Sequence, residues 1–98
     1  MASTYEISKA AEEDIDALLD DSIARFGVDQ TERYFESLVN CLSLISGNPE
    51  MGVTVDQIRR GYRYFSHESH VIFYQQIDVG IFIVRILHKR MDALSILK

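Results

Sequence analysis

At 98 residues the chain can bury one hydrophobic core and falls well short of the roughly 250 at which chains divide, so a single domain over 1–98 is expected. A hydrophobic content of 47% with one proline excludes a disordered or low-complexity chain, and a single cysteine, Cys41, excludes an internal disulfide. A net charge of −5 excludes a protein that coats nucleic acid through overall positive charge.

In chain order, Met1–Ser8 shows neither the basic start nor the apolar run of a secretory leader, and with one cysteine a reducing cytoplasm is the expected compartment. Tyr5–Ile7 reads as a short strand. Ser8 is placed to cap a helix whose stripe, Ala11, Ile15, Leu18, Leu19, Ser22 and Phe26, recurs at helical spacing, and Gly27 ends it. Asp29 reads as the next cap, with Glu32 three residues on as in a capping box. Tyr34, Leu38, Cys41, Leu42 and Ile45 continue that stripe until Gly47, Asn48 and Pro49 stop it. Two helices joined this closely must return antiparallel with their stripes facing one surface, which is expected to be a sheet. Glu50–Arg60 reads as an irregular connection, and Gly61 opens three β-rich runs, Tyr62–Phe65, Ser69–Gln76 and Ile81–His88. A turn at Ile77–Gly80 pairs the last two as antiparallel neighbours, and Asp92–Leu97 reads as a final helical turn. The longest apolar run, Ile81–Leu87, is interrupted by Arg85 and is too short to span a membrane. The expected class is α+β, with a short N-terminal strand and an antiparallel helical hairpin packed on a small antiparallel sheet.

Strict alternation along the last strand puts Ile81, Ile83, Arg85 and Leu87 on one face and Phe82, Val84, Ile86 and His88 on the other, both largely apolar. One helical hairpin covers one side of a sheet, so the second face is expected to await a partner; the alternative is that the C-terminal tail folds over it.

Charge is distributed unevenly. Met1–Glu36 holds ten acids against three bases, whereas Gln57–Lys98 holds seven bases against three acids and all three histidines. Six of these bases form two groups, Arg59, Arg60 and Arg63, and then Arg85, Lys89 and Arg90. With His88 and Met91 they are the candidate partner-binding residues. Arg59, Arg60 and Arg63 have a competing role as ion-pair partners of the acidic helices. Arg85, amid apolar neighbours, must either reach a carboxylate or serve a binding face, and the binding face is the expectation. His67 and His70 are three apart and on a continuous strand would point to opposite faces, which argues against a metal site; no cofactor is expected. Cys41 reads as a core residue.

The runs Ile58-Arg59-Arg60-Gly61-Tyr62-Arg63-Tyr64-Phe65, Ser69-His70-Val71-Ile72-Phe73-Tyr74 and Val84-Arg85-Ile86-Leu87-His88-Lys89-Arg90-Met91-Asp92, with Asn48-Pro49 after a helical hairpin, together resemble the ParE family of bacterial toxins within the RelE/ParE superfamily. The resemblance runs in order from Ala10-Ala11 to Met91-Asp92. It implies the toxin of a type II toxin–antitoxin pair, a non-enzymatic inhibitor that traps DNA gyrase on cleaved DNA. It also implies a ParD antitoxin with a ribbon-helix-helix DNA-binding part and a tail that wraps the toxin, so that DNA is met only through these partners.

The competing reading is the RelE branch, whose members cut messenger RNA on the ribosome. Such chemistry needs cations for the developing phosphorane charge and a group for proton transfer. Where that branch often carries an arginine before the apolar part of the central strand this chain has Val71, and where it often ends in a tyrosine this chain has Lys89. Arg63, Arg85 and His88 remain a conceivable phosphate cluster. A third reading is a binding module without toxicity.

Overall fold

Ser8 adopts an extended backbone, φ −66° and ψ 159°, and its hydroxyl accepts the N–H of Ala11, so the chain turns from strand to helix at this residue. The computed structural model describes residues 4–98; Met1–Ser3, the beginning of the Met1–Ser8 segment, lie outside the described residues. The chain runs through β1 (Thr4–Ile7), α1 (Lys9–Phe26) and α2 (Val28–Gly47), then a single 3-10 turn at Pro49–Met51. It continues through β2 (Val53–Thr54), β3 (Tyr62–His67), β4 (His70–Ile77), β5 (Gly80–His88) and α3 (Ala93–Leu97).

The sheet order is β1-β5-β4-β3-β2. The hairpins β3–β4 and β4–β5 are antiparallel, as is the short β2–β3 pair, while β1 lies parallel to β5. The α+β class stands, and the sheet is mixed because β1 returns to the last strand with both helices on one side of it. Ala11 of α1 and Leu38, Leu42 and Ile45 of α2 pack with Ile72, Tyr74, Ile81, Ile83 and Ile86 of the sheet. Cys41 belongs to the same core, and burial pushes its thiol up, away from the reactive thiolate.

The helical hairpin is tighter than the sequence suggests. Gly27, at φ +86°, both ends α1 and caps α2, and no side chain caps the second helix. Asp29 is therefore not the cap. The turn is instead closed by Thr31, buried, whose Oγ1 lies 2.8 Å from both the Gly27 carbonyl and the Ser22 hydroxyl.

Two further expectations change. The second sheet face is not left open: Val55, Tyr62, Phe73 and Leu87 are buried there under Leu97 of α3, with Ile58 and Ala93 packed against them. The alternative in which the tail folds over this face is the one realised. Strict alternation in β5 also fails, because Phe73 faces Arg85 while Tyr74 faces Ile83, leaving Val84 as an extra residue in a β-bulge. Ile81 and Ile83 precede the bulge and face the helices. Beyond it Ile86 faces them and Leu87 joins the opposite cluster, so Ile86, Leu87 and His88 each fall on the face opposite to the one alternation assigns.

The residue that caps α1 closes the hydrogen bonding beside this bulge. β1 pairs with β5 only as far as Ile7 opposite Ile83. There the Ser8 N–H donates to the Ile83 carbonyl at 2.9 Å, and the Ser8 hydroxyl donates to the Val84 carbonyl at 2.7 Å. Ser8→Ala removes the helix cap and the partner of the bulge carbonyl together. It should lower the unfolding free energy by about 1–3 kcal/mol in urea denaturation, and a loss no larger than that of an exposed-site control would contradict this role.

Candidate functional site

Beyond the bulge Arg85 turns toward α1. Its Nε and Nη2 donate to the two carboxylate oxygens of Asp14 at 2.7 and 2.8 Å, a bidentate pair, and Asp14 Oδ2 also accepts the Ile86 N–H at 3.0 Å. The side chains are only 26% and 13% exposed, so this pair is shielded from the screening that weakens surface ion pairs. The hydrogen bond to Asp14 outweighs burial and keeps the Arg85 guanidinium firmly protonated. Of the two fates open to Arg85, it takes the carboxylate and not the free binding face that was expected.

The strand ends near β5's C-terminus assemble a group that the sequence hides. Glu68, in the left-handed region at φ 52°, and Ser69 make the turn from β3 to β4, so His67 and His70 are cross-strand partners and do not point to opposite faces. Both rings approach Tyr34 of α2, with centroids 5.7 and 5.8 Å away. The Tyr34 hydroxyl hydrogen-bonds His70 Nδ1 at 2.8 Å, and Ser37 meets His67 Nε2 at 3.1 Å. His88 stands opposite His70 across β4–β5, edge to face at 5.4 Å. Burial, then the charge of Glu68, pushes Tyr34 up to about 12, so it remains a phenol. Burial, followed by repulsion from His88 and His67, holds His70 below its ordinary 6.5 against the weaker pull of Asp21 and Glu68.

These residues border a groove of about 640 Å³ between the helical hairpin and the sheet, with Leu18, Phe26, Ile86 and Met91 as apolar wall and Asp21, His70 and His88 among its polar groups. His88 and Met91, both candidate residues, belong to this groove. Lys89, Arg90 and Met91 are exposed in the turn that follows β5, and among the described residues neither Lys89 nor Arg90 forms an ion pair.

Arg59, Arg60 and Arg63 lie elsewhere. Asp56 accepts the Gly61 N–H at 3.0 Å and shapes the loop that exposes Arg59 and Arg60. Arg63 donates through Nη1 to the carbonyls of Glu50 and Gly52, at 3.2 and 2.8 Å, and so braces the 3-10 turn. None of the three pairs with the acidic helices among the described residues. Strand register sets the two basic groups apart: Arg63 opposes Tyr74, which opposes Ile83, and five further residues, about 16 Å of strand, lead to His88. Arg63, Arg85 and His88 therefore do not form one phosphate cluster.

Residues 5–93 match the family described as ParE toxin of type II toxin-antitoxin system, parDE. The chain belongs to the ParE toxin family. It is similar to Toxin ParE1 of Mycobacterium tuberculosis, 41% identical over 94 residues that cover 95% of this chain and 96% of that one. Toxin ParE1 of Caulobacter vibrioides is 36% identical over 89 residues, 91% of this chain and 92% of that one. A solved chain from the "Chromosomal ParDE TA system from P. aeruginosa" superposes with a TM-score of 0.75 at 17% identity, over 89% of this chain and 96% of that one, a likeness of fold. No helix among the described residues is long and apolar enough to cross a membrane.

Two outcomes follow from this geometry. Asp14→Ala strands a shielded guanidinium and the Ile86 N–H, at a cost of about 3 kcal/mol, whereas Arg85→Met leaves Asp14 its N–H partner and costs about 1–2 kcal/mol. Equal losses in urea denaturation would show that Asp14 does not serve both groups. For His70 the folded state disfavours the proton, so its contribution is complete above 6.5 and is lost as pH falls from there toward its lowered folded value. The unfolding midpoint should drop between about pH 7 and pH 5, and His70→Gln should flatten that drop. An unchanged slope in His70→Gln would remove His70 as its source.

Proposed function

We propose that the chain is a cytoplasmic toxin that inhibits DNA gyrase by binding it and performing no chemistry of its own, and that a ParD-like ribbon-helix-helix antitoxin neutralises it. Family membership supports the toxin role, and a related fold occurs in a ParDE system. One observation carries the choice of contact surface: Lys89, Arg90 and Met91 are exposed together at the end of the sheet, two cations and an apolar side chain with no intramolecular ion pair among the described residues. Cationic and apolar groups side by side suit a protein partner, the charge favouring encounter and the apolar part affinity. Arg59 and Arg60 offer a second, separate contact. Arg85, paired with Asp14, and Arg63, bound to the 3-10 turn, are already engaged within the chain, which supports leaving them out of this surface.

Binding rather than catalysis is also favoured by the separation of Arg63 from His88 and by the engagement of Arg85 with Asp14, which keep Arg63, Arg85 and His88 from converging on one phosphorane. Removing the whole tail is not a clean probe, because Leu97 covers the second sheet face. Point changes in the turn are. The purified chain should inhibit gyrase supercoiling and accumulate cleaved DNA while cell-free translation proceeds. Changing Lys89, Arg90 and Met91 together to alanine should weaken gyrase inhibition about tenfold or more with folding intact. Arrest of translation with gyrase unaffected, or full potency in the triple variant, would refute the proposal.

A further inference from the structure

His88 fastens the turn that follows it with its own ring. Nδ1 accepts the Arg90 N–H at 3.1 Å, and the His88 carbonyl accepts the Met91 N–H at 2.9 Å. The ring occupies the place that an asparagine or aspartate oxygen takes when it closes a turn two residues on. The difference is chemical. A neutral imidazole has one acceptor nitrogen, and an imidazolium has none, so a proton on this ring turns Nδ1 into a second donor facing the Arg90 N–H.

The surroundings connect this ring to a wider group. The Lys89 N–H donates to the Ser69 carbonyl at 2.9 Å, which makes His70 and His88 a non-hydrogen-bonded cross-strand pair, the kind whose side chains lie closest. From α2, Tyr34 holds His70 Nδ1, and its ring is also approached by His67. From the β3–β4 turn comes Glu68, 3.6 Å from His67 Nε2. From α1 the groove receives Asp14, bound to Arg85, and Asp21, bound to Arg25 at 3.0 Å. The turn itself contributes Lys89 and Arg90. At His70 the carboxylates of Asp21 and Glu68 favour a proton, while burial and the two neighbouring imidazoles outweigh them.

What the turn holds is consequential. It leads directly into Asp92, whose carboxylate caps α3 through the Ser95 N–H, and this five-residue helix covers Val55, Tyr62, Phe73 and Leu87 by way of Leu97. A helix so short depends on its docking and on its connection. We propose that His88 makes the Lys89–Met91 turn a proton-sensitive latch: a proton on the ring expels the Arg90 N–H, releases the turn and loosens the seat of α3. Histidine is the side-chain type whose charge change is accessible by mild acidification, so the latch can be tested by lowering the pH. Its bearing on partner binding rests on the reading of this turn as the contact surface.

The test compares the 98-residue chain with its His88→Asn variant, whose amide oxygen can accept the same N–H without titrating. Hydrogen exchange at the Arg90 amide, corrected for its intrinsic pH dependence, should lose about fivefold or more of its protection in the wild type between about pH 7.5 and pH 5.5 and stay constant in His88→Asn. An equal fall in both chains, or none in the wild type, overturns the latch. Affinity for the antitoxin, measured at the same two pH values, should weaken with acid in the wild type by a similar factor and remain flat in the variant; parallel pH dependence in the two overturns the link to binding. A chain that binds no antitoxin at either pH defeats the proposed function, while the amide measurement still decides the latch.

Discussion

The extra residue at Val84 is the constraint from which the rest of the site follows. A bulge in an inner strand leaves backbone groups without ladder partners and reverses the facing of every later side chain. Here the strand on that side, β1, has already ended, so the exposed groups of β5 are met by the cap and the first turns of α1: Ser8 takes the Val84 carbonyl and Asp14 takes the Ile86 N–H. Asp14 also takes Arg85. One helix is thereby fixed to the strand by hydrogen bonds as well as by apolar packing, and the carboxylate that does so is drawn from the acidic half of the chain.

The same reversal decides what lies on each face near the end of β5. Without it Ile86 and His88 would stand on the side covered by α3 and Leu87 on the helical side. With it, Leu87 enters the second core, Ile86 completes the first, and His88 comes to rest beside His70 and Tyr34 in the groove. Arg85 and His88, three residues apart, consequently do different things. The first is consumed by the fold; the second closes the turn that presents Lys89, Arg90 and Met91. The positive charge of the C-terminal half thus divides into a structural part, Arg85 and Arg63, and an exposed part at two ends of the sheet.

Much of this was legible in the sequence, and what was not has identifiable causes. Ser8 and Gly27 act through local backbone chemistry, and both were readable as helix boundaries. Asp29 looked like a cap because Glu32 completes the familiar pattern, but the helix starts earlier at Gly27, where the near-absence of a loop leaves no room for Asp29 outside it. The bulge had no local signal: Phe82 to Leu87 are strand-forming residues apart from Arg85, and no glycine marks the extra position. The histidine group was hidden because Glu68-Ser69 lacks the glycine or asparagine that usually advertises a two-residue turn. Asp14 was one of ten acids in the first 36 residues, and only tertiary register distinguishes it from its solvated neighbours. The family, by contrast, was legible from the order of its runs alone, since those runs reflect the whole surface of the strands and not any single contact.

If the exposed turn meets the partner, the Arg85–Asp14 pair serves the fold alone. Growth inhibition by a doubly changed chain, Asp14→Asn with Arg85→Gln, tests it most directly, because the charges are gone while an acceptor for the Ile86 N–H remains. A folded double variant should stop growth as effectively as the wild type. A double variant that folds fully yet no longer inhibits growth would place Arg85 on the functional surface and contradict the account.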